Sequence, residues 1–329
     1  MTGRRAVLRV LGIAGLLAGR RAALAQRPPT IPRIGALLFA SQTDPLAQKY
    51  LAVFRQRLRD LGYVEGKTIV IEERFAAGSA QRLGELAREL ADAKPDIIVT
   101  PAVAATIAMR QATDTIPIVM LHAGNPIGAG LIASLARPGR NVTGTANLPL
   151  GGKHVELMRE VLPRMTRLAI LVNPTNAGAR PFVANMTEAA RSANLDVTIV
   201  EVSRPEDFLQ AYASIRNARA DWLHVLDEPM ISSRRAEWVA FATAARLPLS
   251  SDVAETARVG GLISYSAVIA EHYSLAAVYV DKILKGAKPA DLPVEQPTRY
   301  ELIVNLRTAK ALGLPMPQSV LLRAQEVVQ

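Results

Sequence analysis

Short apolar runs rich in β-branched residues alternate along the chain with longer segments whose apolar positions recur every three or four residues. The runs at 34–39, 69–73, 97–99, 116–121 and 142–144 read as strands, followed by a second set at 168–172, 197–202, 222–226, 247–249 and 262–264. Near-continuous apolar strands suit sheets covered on both faces, as parallel sheets are. Between them lie amphipathic helices. From Pro45, the residues Leu46, Tyr50, Phe54, Leu58 and Leu61 form one stripe, while Arg55, Arg57, Arg59 and Asp60 mostly face outward. Pro45 suits a first helical turn and Gly62 a stop. Ser79 is placed to cap a second helix, with Leu83, Leu86, Ala87 and Leu90 as its buried stripe. His154, Leu157, Met158, Val161 and Leu162 mark a third.

Repeated strand–helix–strand units with short links imply right-handed crossovers and doubly wound parallel sheets. About ten strands are many for one open sheet. The pattern therefore predicts an α/β protein of two such sheets, parting near 147–152, where Leu-Pro-Leu-Gly-Gly reads as a linker.

Charge changes this picture less than it first suggests. The 329 residues carry a net charge of +10, which would fit a nucleic-acid partner. However, the first 25 residues have the form of a cleavable export signal: Arg4, Arg5 and Arg9, an apolar stretch over 10–18, then Ala23-Leu24-Ala25. Both general secretion and the twin-arginine route accept such a start. Without that segment five arginines are lost and the balance becomes 34 basic against 29 acidic side chains. No basic cluster is dense enough to track a phosphate backbone, so nucleic acid is not expected. The absence of cysteine excludes disulfides, thiolate catalysis, cysteine metal sites and a lipoprotein anchor. A free, monomeric periplasmic protein is the expectation.

Specific catalytic and cofactor templates are missing. Gly124, Gly128 and Gly130 are spaced G-x-x-x-G-x-G, not as a dinucleotide fingerprint, and no Gly-Lys-Ser/Thr or G-x-S-x-G follows. The four histidines are scattered, with no metal-ligand spacing. His154 and His272 read as helix-face or surface residues and His224 as a hydrogen-bonded core residue. His122 stands apart because it leaves a strand where open α/β sheets hold ligands. The other strand exits carry the remaining candidates: Ser41, Gln42, Thr43 and Asp44; Thr100, Pro101 and Ala102; Ala123; Asn147; Asn173 and Thr175; Asp227; Asp252; and Tyr265. Helix starts there offer backbone N–H groups to a carboxylate, while Asp227 or Asp252 would pair with an amine. No metal or cofactor is called for. Between 125 and 141 the chain is expected to form a short helix and a turn before the next strand.

Three segments carry a family resemblance: "IPIVMLHAGNPIGAGLIASLARPGRNVTG", "LAILVNPTN" and "VDKILKGAKPADLPVEQPTRYELIVNLRTAKALGL". They resemble the ABC transporter substrate-binding family that includes tryptophan-binding, TrpX-like proteins, which often has Gly-Asp-Pro where this chain has Gly124-Asn125-Pro126. The resemblance implies a type I periplasmic binding protein fold, with two lobes joined by three crossovers. It also implies a binding protein, not an enzyme, that serves an inner-membrane permease and ATPase. By that pattern one lobe comprises 31–147 plus 267–298 and the other 148–266 plus 299–329. Residues 41–44 and 100–102 would line the first side of a cleft, and 173–175, Asp227 and Tyr265 the second. The ligand would be a small carboxylate-bearing molecule, such as an amino acid or an aromatic acid. A receptor-linked sensor and a two-lobed enzyme remain the competing classes.

Overall fold

The computed structural model describes residues 31–176, 178–226 and 228–329. The expected export signal and Asp227 lie outside the described residues. The first sheet holds β1 (Arg33–Leu38), β2 (Val70–Phe75), β3 (Ile97–Pro101), β4 (Ile118–Gly124) and β5 (Val142–Asn147), in the order β2-β1-β3-β4-β5, with parallel neighbours. The second holds β6 (Arg167–Val172), β7 (Asp196–Glu201), β8 (Trp222–Val225), β9 (Leu249–Ser251), β10 (Ile263–Ala267), β11 (Tyr300–Asn305) and β12 (Glu326–Val328). Its order is β12-β11-β10-β9-β8-β6-β7, and β10 and β11 run antiparallel. These are two α/β lobes.

Each sheet is sandwiched between helices, which is why its strands are apolar on both faces. Helices Pro45–Asp60 and Ile269–Leu284 cover one face of the first sheet, and Ala80–Asp92 and Ala102–Ala112 the other. In the second lobe Gly151–Val161 and Ala179–Ser192 lie on one face, and Phe208–Asn217 and Arg235–Ala244 on the other. The Ser79 hydroxyl accepts the Arg82 N–H at 3.2 Å, and the helix it caps buries Leu83, Leu86, Ala87 and Leu90. In Pro45–Asp60 the stripe turns by one residue: Ala47, Leu51, Phe54 and Leu58 are buried. Helix Ile269–Leu284 packs alongside, and Tyr50 stays at the margin, stacked on Tyr273 with centroids 5.4 Å apart.

Two expectations fail. The link from β4 to β5 contains turns in place of a helix, because Asn125, at φ 47°, accepts the Gly128 N–H at 3.1 Å and folds the chain back. Strands β11 and β12 were not anticipated. Strand β12 is three residues long, and β11 pairs with β10 only after the chain has left that sheet and returned.

The chain passes from the first sheet to the second after β5, back after β10, and again to the second before β11. These crossings are tied together. Ala146 donates to the Glu295 carbonyl at 2.9 Å, and Val268 donates to the Arg299 carbonyl at 3.1 Å. Among the described residues no helix is long and apolar enough to cross a membrane.

Candidate functional site

All three crossings contribute to the wall of one small cavity, of about 30 Å³. Asn147, Leu148 and Leu150 come from the first, Ser266 and Ala267 from the second, and Tyr300 from the third. The second lobe completes the wall with His154, Phe182, Met186, Leu226 and Asp252. The lining is mostly apolar, with a few polar atoms set into it, as small-molecule sites generally are.

The polar atoms are unusual in having no partner. Asn147 Oδ1, Ser266 Oγ and both ring nitrogens of His154 are buried without a hydrogen bond. Leaving such a group unmade in the folded state typically costs about 1–3 kcal/mol. His154 sits one turn into its helix on the buried face, edge-on to His224 at a centroid distance of 4.5 Å. Burial pushes its pKa down to about 4, so the imidazole is neutral and offers one N–H and one lone pair. Behind it, the Trp222 indole donates to Ser250 Oγ at 2.8 Å, and that hydroxyl lies 2.9 Å from His224 Nδ1. Burial, reinforced by His154, holds His224 well below the ordinary imidazole value.

The first lobe presents a different rim. At the end of β4 the register with β5 shifts between Met120 and Ala123, and His122 takes a positive φ of 40°. Its backbone N–H donates to Thr145 Oγ1 at 3.0 Å, and the same hydroxyl lies 2.8 Å from His272 Nδ1. The two rings are 6.0 Å apart, and Tyr273 closes the group at 6.3 Å from His122. Burial pushes His122 down to about 4 and, with His122 alongside, His272 to about 3. Both His154 and His272 are thus buried, at 2% and 1% exposure, contrary to a surface reading. Tyr50 completes this rim. Its phenol is pushed up to about 12, by burial first and the Glu301 carboxylate next.

The remaining rim residues divide by what their side chains already do. Asp44 caps its helix, accepting the Leu46 and Ala47 N–H groups at 2.8 and 3.2 Å. Ser41 and Thr43 hydroxyls lie 3.4 Å apart, and the Gln42 carbonyl accepts from Gln48 at 2.8 Å. Thr100 is fully buried, 2.9 Å from the Thr106 hydroxyl, and Ala123 is fully buried in the core. Pro101 caps helix Ala102–Ala112 with no side-chain hydrogen bond, and Ala102 holds a φ of 65°. Such backbone strain clusters at functional sites. Asn173 is spent on its own loop, accepting from Thr175 N–H and Oγ at 3.0 and 2.7 Å. Asp252 lines the cavity with its carboxylate 3.5 Å from the Ser251 hydroxyl. Tyr265 is not part of its wall: edge-on to His154 at 6.0 Å and stacked on Tyr300 at 5.8 Å, it lines an outer depression with Lys153, Leu157 and Leu322.

Of the candidates read from the chain, the structure therefore brings Asn147 and Asp252 to the cavity. His154, Phe182 and Tyr300 join them without having been proposed, and Ser266 enters from the strand exit at Tyr265. For His154 a signal existed, a polar residue on the apolar stripe of the helix that follows the linker. Phe182 carried none. Among the described residues no group of three histidine, cysteine, aspartate or glutamate side chains is placed to hold a metal.

Two lobes with a cavity built from the crossings between them define the type I binding-protein architecture, and the wider comparisons agree. The family model described as ABC transporter substrate binding protein matches residues 42–328, and the chain belongs to that family. A tyrosine-binding protein of Clostridioides difficile (strain R20291) is 26% identical over 270 residues, covering 82% of this chain and 78% of that protein. An ABC domain from Streptococcus pneumonia, crystallised in complex with L-Trp, superposes with a TM-score of 0.86 at 25% identity, over 91% of this chain and 100% of that one. A ligand-free, open substrate-binding protein from Clostridium difficile superposes less well, with a TM-score of 0.69 at 23% identity, over 91% and 100%.

Proposed function

We propose that this chain is the extracytoplasmic solute receptor of an ABC uptake system. It captures a small carboxylate-bearing ligand with an apolar or aromatic body and presents it, lobes shut, to a membrane permease and its ATPase. One observation carries the reading: every chain crossing lines the cavity, so hinge motion and cavity shape change together. A ligand that fits the shut cavity shifts the open–shut population toward it. The better superposition on the L-Trp complex than on the open, ligand-free protein supports a shut arrangement here.

In this reading the lobes are 31–147 plus 267–298 and 148–266 plus 299–329. Residues 1–25 direct export to the periplasm and are removed. The uncapped start of helix Ala102–Ala112 and the 41–44 loop take the ligand carboxylate, while Asp252 or Asp227 pairs with an amine. Asn147, His154 and Ser266 meet the polar part of the enclosed body. The protein acts as a monomer and without a cofactor.

Mass spectrometry of small molecules released from the purified protein tests this directly, followed by thermal shifts with L-tryptophan, L-tyrosine and benzoate. An acceptor ligand at 100 times its Kd stabilises the fold by about 2.7 kcal/mol. No released molecule and no shift across amino acids and aromatic acids would overturn the proposal.

A further inference from the structure

Two glycines meet across the cleft from opposite lobes. Gly124 ends β4, and Gly178 precedes helix Ala179–Ser192. Neither has a positive φ, so neither backbone conformation calls for glycine. What calls for it is space. A Cβ on Gly124 would lie 2.9 Å from the Phe182 ring and 3.3 Å from the Gly178 carbonyl oxygen. A Cβ on Gly178 would lie 3.1 Å from the Gly124 carbonyl oxygen and 3.2 Å from a Val103 methyl. A glycine within a strand weakens it and marks a site where another backbone approaches closely. Here the approaching backbone belongs to the other lobe.

Phe182 connects this contact to the cavity. Its ring edge lies against Gly124, and the same side chain forms part of the cavity wall. We infer that Gly124 and Gly178 are the surfaces on which the lobes shut, and that Phe182 is the positioning residue through which an occupant of the cavity favours that contact. An occupant that packs on Phe182 holds the ring against Gly124; a side chain at either glycine holds the lobes apart. The inference rests on the hinge closure proposed above.

The cysteine-free chain allows a clean measurement. Cysteines placed at the exposed positions Gln81 and Leu209, one per lobe, carry a donor and an acceptor dye for single-molecule energy transfer, with L-tryptophan and L-tyrosine as probes. The native sequence and the control Gly84→Ala, whose added methyl meets nothing within 4 Å, are expected to populate a shut state that grows with probe. Gly124→Val and Gly178→Val are expected to lack that state and to bind the probes at least tenfold more weakly. Gly178→Ala keeps the test valid if a valine variant does not fold, because its helix-start backbone, φ −75° and ψ −18°, suits any residue. Phe182→Ala should visit the shut state without enrichment by probe, and Phe182→Leu should restore part of the enrichment. Glycine variants that shut as the native sequence does would overturn the inference, as would a native protein with a single open population. A native shut state unmoved by either probe, yet lost in the glycine variants, would uphold the contact and overturn the aromatic amino-acid ligand instead.

Discussion

Each lobe sets a pair of histidines beside the cleft, His122 half-buried and the other three buried, and the two pairs are finished differently. In the first lobe Thr145 Oγ1 accepts the His122 backbone N–H and lies 2.8 Å from His272 Nδ1, an internal brace that leaves only His272 Nε2 without a partner. In the second, His224 is anchored through Ser250, but His154 reaches the cavity wall with neither nitrogen engaged. The same residue type therefore serves structure on one side and faces the ligand space on the other. What separates them is that His272 and His224 each engage one ring nitrogen, whereas His154 engages neither.

Acid should break the comparison most forcefully, because both pairs are held neutral. An unfolded histidine titrates near 6.5, whereas His122 and His154 do so at about 4 in the fold. Between those values the unfolded chain binds more protons, so stability rises with pH and is lost as pH falls from 6.5 toward 4. Each of these imidazoles accounts for roughly 3 kcal/mol of that loss by pH 4. Urea unfolding at pH 7, 5.5 and 4 measures it, and a flat profile would contradict the buried, neutral assignment. Next in size, Thr145→Val removes the hydroxyl from the first brace and should cost about 2 kcal/mol in the same assay at pH 7.

His154→Phe sharpens the contrast. Replacing two unpartnered polar atoms by apolar ones should leave stability unchanged or raise it by about 1 kcal/mol. Ligand affinity, measured by calorimetry on whichever molecule the protein releases, should still fall about tenfold or more for the loss of a hydrogen-bonding side chain. A loss of stability comparable to that of Thr145→Val would place His154 among the braces. Smallest of all, Tyr265→Phe should alter stability and affinity by no more than about 0.5 kcal/mol, since its ring faces the outer depression.

Much of the architecture is legible in the sequence because it depends on local pattern. Apolar runs mark ten strands of the two sheets to within a few residues, and Ser79 announces its helix by spacing alone. The cavity is less legible because its parts are remote in the chain. His122 finds His272, and Gly124 finds Gly178 and Phe182, only once the sheets and crossings exist. Strand-exit reasoning reaches the right rim but does not determine which side chain faces it. In β10 the neighbours Ser266 and Ala267 line the cavity, while Tyr265, edge-on to His154, lines the outer depression. Asp44 and Asn173 illustrate the other limit: polar residues at loop ends are often consumed by the loop's own backbone.

The hydrogen bonds that tie the crossings together constrain how the molecule can move. Strand β5 is joined to the segment at Glu295, and the chain after β10 is joined to the one before β11. Three separate strings would let the lobes twist, shear and bend independently. Laced side by side, they behave as a strip with one soft direction, bending about a line along its width. On the hinge closure proposed above, opening and shutting would reduce to a single angular coordinate, the one angle a ligand would select.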